Sequence, residues 1–525
     1  MRNFKKNKSL LFLGLIFILA CFVRFPQIIS GQFQFVFDMG RDMLWTRDIV
    51  VLKKLYLIGP WGSISGVFFG PFWYYFLSIP FALSGGNPKA SVLAVFSVDL
   101  LTILLGYFFG KEIKNERLGL LIAFFLAFSP ALISASTFAF HANLLPFTTL
   151  IFIYSLYKLQ TKQKAHLYLP LSAFLASLNF HLEPATAIFT TLTLIVFLFL
   201  NLKLLKNLKV LIISILAFII PFIPQIIFEF RHSFLQTKSL ILYFQGENQT
   251  LEGKLPILPR INDRLFKFFD LFKQSIFIPN IFVAFLILLV VIIALTILFR
   301  TKKKKQKEAI SIILLNLIIP LIGFIFLFSP ELKSWYIRGL PVAYCLLVAL
   351  VFDLILEKFK KLKAVIFLIL IVIFFANVNL LSRLNDIFLG FPEGNAGTFR
   401  NQIRTIDWIY QDAGGKDFNV YVYTPPIYDF HYQYLFWWYG KKNYQYEPFE
   451  YSYLPGKKDY IKYKYSYLPQ DYNNKKPPLP FYLILEPDND KTKILGWLEN
   501  FKESKTLTKI ILPGQITVEK RIKNE

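Results

Sequence analysis

The sequence predicts an all-α polytopic membrane domain of about eleven transmembrane helices, followed by a C-terminal extracytoplasmic α/β domain. Three observations carry that expectation. Of the 525 residues, 55% are hydrophobic and only 17% charged, where soluble chains carry about a quarter charged. The apolar residues gather in runs of about 20, the length that crosses a bilayer core. Lys and Arg sit in short clusters between those runs, as orientation in a membrane requires. Disordered, collagenous and disulfide-stapled classes are excluded by the same composition. Cys21 and Cys345 both lie inside apolar runs, so neither a disulfide nor a cysteine metal site is expected. The net charge of +25 does not point to nucleic acid. Residues 383–525 hold 20 Lys/Arg against 17 Asp/Glu, so the excess lies among the membrane segments.

Taken in order, spans are expected near 9–29, 90–109, 118–136, 143–159, 166–181, 184–202, 209–228, 280–299, 309–328, 337–353 and 364–382. The first follows Arg2, Lys5, Lys6 and Lys8 and reads as an uncleaved anchor, since more spans follow. The apolar segment from Gly70 to Leu83 is short, Pro-interrupted and aromatic, and decides the topology. If it crossed, the clusters Lys111/Lys114/Arg117, Lys158/Lys162/Lys164, Lys203/Lys206/Lys209, Arg300 with Lys302 to Lys305, and Lys358/Lys360/Lys361/Lys363 would all face outward. Lying in the interface, it lets all five join the basic N-terminus on the cytoplasmic side. The expectation is therefore a multi-pass plasma-membrane protein with its N-terminus in the cytoplasm. A transmembrane domain, 1–382, carries the outer loop 30–89, and a soluble extracytoplasmic domain occupies 383–525.

In the tail, helical spacing runs from Arg400 to Tyr410 and stops at Gly414-Gly415. Asn419–Tyr423 and Phe481–Leu485 read as strands and Lys491–Phe501 as a helix. Tyr-Ser-Tyr-Leu-Pro occurs at 451–455 and 465–469. Such tyrosines stack on sugars or pack a sheet, and packing is the commoner use.

The first outer loop opens Phe37-Asp38-Met39-Gly40-Arg41-Asp42, and Asp38, Arg41, Asp42 and Trp45 share one helical face. Two carboxylates and a guanidinium just above a bilayer form either a solvated face of weak ion pairs or an acid–base site. The remaining outer loops add His141 and Asn143, His181 and Glu183, Arg231 and His232 after Glu229, and Lys333, Tyr336 and Arg338. Singly, each reads as a snorkelling or hydrogen-bonded interface residue. Together they suit an anionic headgroup whose tail stays in lipid. His141, His181 and His232 near helix ends have the chemistry of metal ligands, so a divalent metal is left open and no cofactor is assigned. Arg24 and Asp99 are charges at membrane depth, expected to form a structural pair between the first two spans. Asp353, near a span's end, suggests no special role.

The order of these features resembles the GT-C glycosyltransferases, and within them the protein O-mannosyltransferase and aminoarabinose transferase (ArnT/PMT-like) branch. Asp38 with Arg41, Gly59-Pro60, Gly70-Pro71-Phe72-Trp73-Tyr74-Tyr75, His181-Leu182-Glu183 and Phe228-Glu229-Phe230-Arg231-His232 carry the resemblance, which covers the layout of about residues 1–382. It implies transfer of a sugar from a polyprenyl-phosphate-linked donor to a lipid, glycan or protein acceptor on the outer side. By that resemblance Asp38 is the catalytic acid/base of the first loop, Arg41 a donor-phosphate ligand, and Asp42, one turn along, stands in for the second carboxylate that relatives carry after the first. Arg231, His232, Lys333 and Arg338 join the phosphate site. Trp45, His141, Asn143, His181, Glu183 and Tyr336 line the substrate pocket. Met39 stands where relatives often carry Glu, and Phe69-Gly70 where some carry a Lys before the Pro. A transporter or flippase of lipid-linked glycan is the competing reading. It would show paired half-sequences and midplane polar groups, whereas the polar groups here cluster toward one side.

Overall fold

The computed structural model describes residues 2–246, 255–277, 281–299, 303–425, 428–457 and 480–524. Its helices begin with α1 (Arg2–Ile29), α2 (Phe37–Val50), α3 (Phe72–Ser84), α4 (Pro88–Ile113), α5 (Glu116–Phe128) and α6 (Pro130–Ser136). There follow α7 (Leu145–Gln160), α8 (Ala165–Leu178), α9 (Pro184–Leu200), α10 (Leu208–Ile219), α11 (Ile223–Arg231) and α12 (Leu235–Gln245). Then come α13 (Ile257–Ile276), α14 (Ile281–Phe299), α15 (Lys304–Phe326), α16 (Leu340–Lys358), α17 (Lys363–Val378) and α18 (Leu380–Phe388). The tail holds α19 (Phe399–Ala413), β1 (Asn419–Tyr423), α20 (Phe430–Leu435), β2 (Glu450–Ser452), β3 (Phe481–Leu485), α21 (Lys491–Leu498), β4 (Ser504–Leu512) and β5 (Ile516–Lys523).

The chain packs into two compact units. One comprises residues 1–25, 55–76 and 92–384, the other 26–54, 77–91 and 385–525. Among the described residues six helices are long and apolar enough to cross a membrane: Lys8–Ile29, Pro88–Ile113, His141–Gln160, Leu208–Arg231, Lys304–Phe326 and Leu340–Lys358. Three bent pairs raise the number to nine when each counts as one span: α5 with α6, α13 with α14, and α17 with 382–389. Two other expected spans, 166–181 and 184–202, coincide with α8 and α9, only 14 and 17 residues long. Length and composition alone therefore give six to nine crossings among the described residues and do not confirm eleven. The turn between them explains the shortfall: a tight 3-10 turn, Asn179–His181, closes the first, and Pro184 opens the second. The segment expected in the interface is α3, a 13-residue apolar helix, too short to cross at 1.5 Å per residue.

In the first unit His141–Gln160 and α16 are the most buried of these six helices, at 83% and 78%, against 17% for Leu208–Arg231. The peripheral helices expose large apolar side chains such as Phe199, Ile212, Leu216 and Phe230, as lipid-facing surfaces do. Gly106 and Gly110 of α4 let α5 approach closely, Gly110 against Gly119 and Gly106 against Ile122 and Leu126. Arg24 and Asp99 form the expected buried pair, Nε to Oδ2 at 3.0 Å, and Arg24 also donates to Ser136 Oγ at 2.9 Å. Asp353 has a role its sequence position concealed. Its carboxylate accepts from Lys114 and from Arg117 Nε, the latter at 2.6 Å, tying α16 to the α4–α5 turn.

In the second unit the sheet order is β2-β1-β3-β5-β4. β1 is parallel to β2 and β3, and β5 is antiparallel to β3 and β4. β1 and β3 are buried along their whole length, which is why they read as continuous apolar runs. Tyr421, Tyr423, Tyr432, Tyr434, Tyr451 and Tyr482 are buried and pack the domain. The second Tyr-Ser-Tyr-Leu-Pro copy lies outside the described residues. Residues 31–35 join this unit by strand-like bonds: Phe35 N to Gly397 O at 2.7 Å, Phe399 N to Phe33 O at 3.0 Å and Arg400 N to Gly31 O at 3.1 Å. Trp438 Nε1 donates to Gly85 O at 2.8 Å, and Tyr434 Oη donates to Gly86 O.

Glu519 on β5 gives this unit a pH dependence. Burial pushes its pKa up, but hydrogen bonds from Lys509 and Arg521 outweigh that and hold it below the usual range. A depressed folded value stabilises above the unfolded value of about 4.3, and the gain is lost as pH falls through the folded value. Exchange protection of amides 516–523 in the intact chain is therefore expected to fall on acidification below about pH 4. Glu519→Gln should start lower and change less, and an unchanged profile in that variant would remove Glu519 as the cause.

Candidate active site

α2 starts after an extended Val36 that offers no side-chain cap, and Asp38 sits in its first turn, where the helix dipole favours an anion. Arg41 Nη1 contacts Asp38 Oδ1 at 3.0 Å, and Arg41 Nη2 contacts Asp42 Oδ1 at 2.8 Å. Arg41 Nε donates to the same Asp42 oxygen at 2.8 Å. One guanidinium is thus held by two carboxylates, leaving the trio one negative charge in excess. The Asp42 side chain is fully buried and that of Arg41 is 3% exposed, whereas that of Asp38 is 38% exposed. Two members of the trio are out of solvent, which a freely solvated amphipathic face does not explain. The arrangement presents one accessible carboxylate on a fixed, partly neutralised base. Trp45 is turned into an aromatic cluster, edge-on to Phe430 at 5.8 Å, beside Phe37, Tyr428 and Phe430.

Within the first unit three turns converge. His141 Nδ1 is hydrogen-bonded to Leu182 O, and its ring lies edge-on to Phe69 at 4.9 Å. The Phe72 N–H donates to His181 Nδ1 at 3.3 Å. Gly70 lies flat against the His181 ring, where a Cβ would collide with it. Asn143 Nδ2 donates to Phe138 O at 2.7 Å. Glu183 caps α9, accepting from the Ala185 N–H at 3.4 Å. The Gly-Pro-aromatic segment is therefore gathered with His141 and His181, while Asn143 and Glu183 bond locally within their own turns.

Glu229 caps α12 through the Gln236 and Thr237 N–H groups, both at 3.0 Å. His232 stacks on Phe228 at 4.0 Å, and Arg231 and His232 are exposed. Lys333 is bonded to Glu331 Oε2 at 2.7 Å, and that bond holds the Glu331 carboxyl below its usual range. Arg338 is partly buried and its Nε makes no hydrogen bond among the described residues. Tyr336 Oη lies 3.4 Å from Ser63 Oγ, and the Tyr336 O accepts from Thr186 Oγ1 at 2.5 Å. Tyr336 also borders a small cleft lined by Thr149, Thr186, Thr190, Thr193 and Asn316 among others. Among the described residues no three His, Cys, Asp or Glu side chains converge as metal ligands.

Sequence reasoning passed over several residues that hold this region. Gln236 Oε1 accepts from the Phe68 N–H at 2.9 Å, and Gln225 Nε2 donates to Phe68 O at 3.1 Å, strapping the segment before Gly70. Arg260, Arg264 and Lys267 on α13 donate to carbonyls of 324–332, the loop leading to Lys333. Their spacing of four and three residues on one helical face was a usable signal.

No protein-family model and no curated protein matches the sequence. Among solved structures, the chain is similar to ArnT from Cupriavidus metallidurans in the apo state, with TM-score 0.57 and 11% identity over 98% of both chains. It is likewise similar to that ArnT bound to undecaprenyl phosphate, with TM-score 0.55 and 12% identity over 99% of this chain and 98% of that one. At such identity the likeness carries the fold, and the fold is the GT-C fold expected from the sequence.

Proposed function

We propose that this chain is a membrane glycosyltransferase that moves a sugar from a polyprenyl-phosphate donor to an acceptor on the outer face, with inversion. The observation that supports the reading best is the α2 trio, in which Asp38 alone keeps an accessible carboxylate. In this reading the chain crosses the membrane eleven times with its N-terminus in the cytoplasm, and residues 383–525 form an extracytoplasmic domain. Asp38 takes the proton of an acceptor hydroxyl as its oxygen attacks the anomeric carbon, a contribution of about 10²–10⁴-fold. The bond from that carbon to the phosphate oxygen breaks, and polyprenyl phosphate leaves with the electron pair. Arg231, His232, Lys333 and Arg338 are assigned to the donor phosphate, since cations stabilise the charge that develops there. Arg41 is assigned both to that phosphate and to holding Asp38 and Asp42. Trp45, His141, Asn143, His181, Glu183 and Tyr336 are assigned to the substrate pocket, and the sugar class is a hexose or pentose. The ArnT structure with undecaprenyl phosphate supports a lipid-phosphate donor by analogy of fold.

The test is consumption of radiolabelled polyprenyl-phosphate hexoses and pentoses by the purified chain in proteoliposomes. Loss of lipid-linked label with transfer to an acceptor is expected. Movement of intact donor across the bilayer without consumption would replace this reading with a flippase.

A further inference from the structure

The proposed reaction leaves unused a buried polar cluster in the second unit. Glu486 follows β3 directly, and its N–H donates to Tyr423 O at 3.1 Å, joining the ends of β1 and β3. His431 on α20 places Nε2 3.5 Å from Glu486 Oε1, with the two side chains 2% and 9% exposed. Neither ring nitrogen makes a hydrogen bond among the described residues. Tyr432 is wholly buried, and burial together with the neighbouring Glu486 raises its phenol well above the ordinary range.

The position of this cluster in the sheet gives it meaning. β1 and β3 are parallel neighbours, and the chain leaves them in opposite directions, from β1 toward β2 and from β3 toward β5. The crevice at such a switch point is where open α/β sheets take their ligands. Here α20 lies at that crevice, and α2 lies on α20. The Gly40 backbone runs so close to the His431 N and Cα that a Cβ does not fit between them. One turn pair further along α2, Arg47 lies over the Trp437 ring at 5.1 Å.

We infer that the tail serves as a clamp for α2, and that His431, set against Glu486, is the positioning residue through which the sheet fixes the attitude of Asp38 and Arg41. The inference rests on the function proposed above. Gly40 is two residues from Asp38 and one from Arg41, so any shift of the His431 backbone passes straight to the trio. A misplacement of about 1 Å costs an enzyme about 10²-fold in rate. A buried imidazole beside a buried carboxylate carries a desolvation cost that an apolar pair of similar volume would avoid. Placement of the helix above it is what the pair provides in return.

The experiment uses the full-length chain in proteoliposomes with the labelled donors, comparing wild type, His431→Ala, His431→Gln and Glu486→Gln. His431→Ala and Glu486→Gln are expected to lower kcat by about 10–100-fold while donor KM stays within about two-fold. Amide exchange over 38–44 should rise in both by more than exchange over the strands 419–423 and 481–485, and His431→Gln should recover part of kcat. Unchanged kcat, or unchanged exchange over 38–44, overturns the inference. Should His431→Ala fail to fold, the near-isosteric Glu486→Gln decides by the same criteria. A wild type that consumes no donor overturns the proposed function instead, and the exchange arm then still reads the clamp by itself.

Discussion

Asp38→Asn is expected to abolish donor consumption, with a loss of about 10²–10⁴-fold at equal expression and equal melting temperature. The amide keeps the volume of the carboxyl and an oxygen for Arg41 Nη1, which the carboxylate now meets at 3.0 Å. It gives up the basic lone pair. Because the Asp38 side chain is 38% exposed, the trio loses little stability with it. Asp42→Asn should behave differently. That carboxylate is fully buried against Arg41, and breaking a buried pair costs about 3–5 kcal/mol, so expression and melting temperature should drop together with activity. Radiolabel assays and thermal melts on both variants separate the roles. Full activity in Asp38→Asn at normal stability would move the base to another residue.

Gly40→Ala carries the second large effect. Alanine raises helix propensity by about 1 kcal/mol in α2, yet the added methyl meets the His431 backbone rather than a rotatable side-chain tip. Backbone cannot turn aside, so the helices must separate, at a cost of about 1–3 kcal/mol and, by the displacement of Asp38, about 10²-fold in kcat. Gly496→Ala is the matched control, on α21 with nothing within 4 Å of its added Cβ. It should stabilise by about 0.5–1 kcal/mol and leave kcat alone. Equal behaviour of the two variants would refute the close-approach argument.

What was legible in the sequence follows the range of the interactions. Asn419–Tyr423 and Phe481–Leu485 were readable because strands buried on both faces are uninterrupted apolar runs, and the observed bounds agree with the reading. The helix read over Arg400–Tyr410 runs from Phe399 to Ala413 and ends at Gly414 with φ +58. β5 opens with apolar Ile516 and Val518 alternating with polar residues, but Lys520 breaks the pattern before Ile522. Its partner β4 is disguised by a register shift between Thr506 and Thr508. The α2 trio was legible as a shared helical face, whereas its burial depends on distant chain and was not. His431 gave no local signal, because its meaning comes from Gly40 and Glu486, neither of which is near it in sequence. The spans were legible as apolar runs, whereas the short helices and bends within those runs were not, and helix length alone does not confirm their number.

The pairing of residues 31–35 with 397–400 sets a schedule for the cell. Gln402 Nε2 reaches Phe35 O across 367 residues, so the unit that carries Asp38 has no complete set of partners while most of the protein is still being made. At about 5–20 residues per second that interval lasts roughly 20–70 s. Throughout it residues 31–35 lack the backbone and side-chain partners that 397–402 supply. The segment before Asp38 completes its hydrogen bonds only after residues 397–402 have been made.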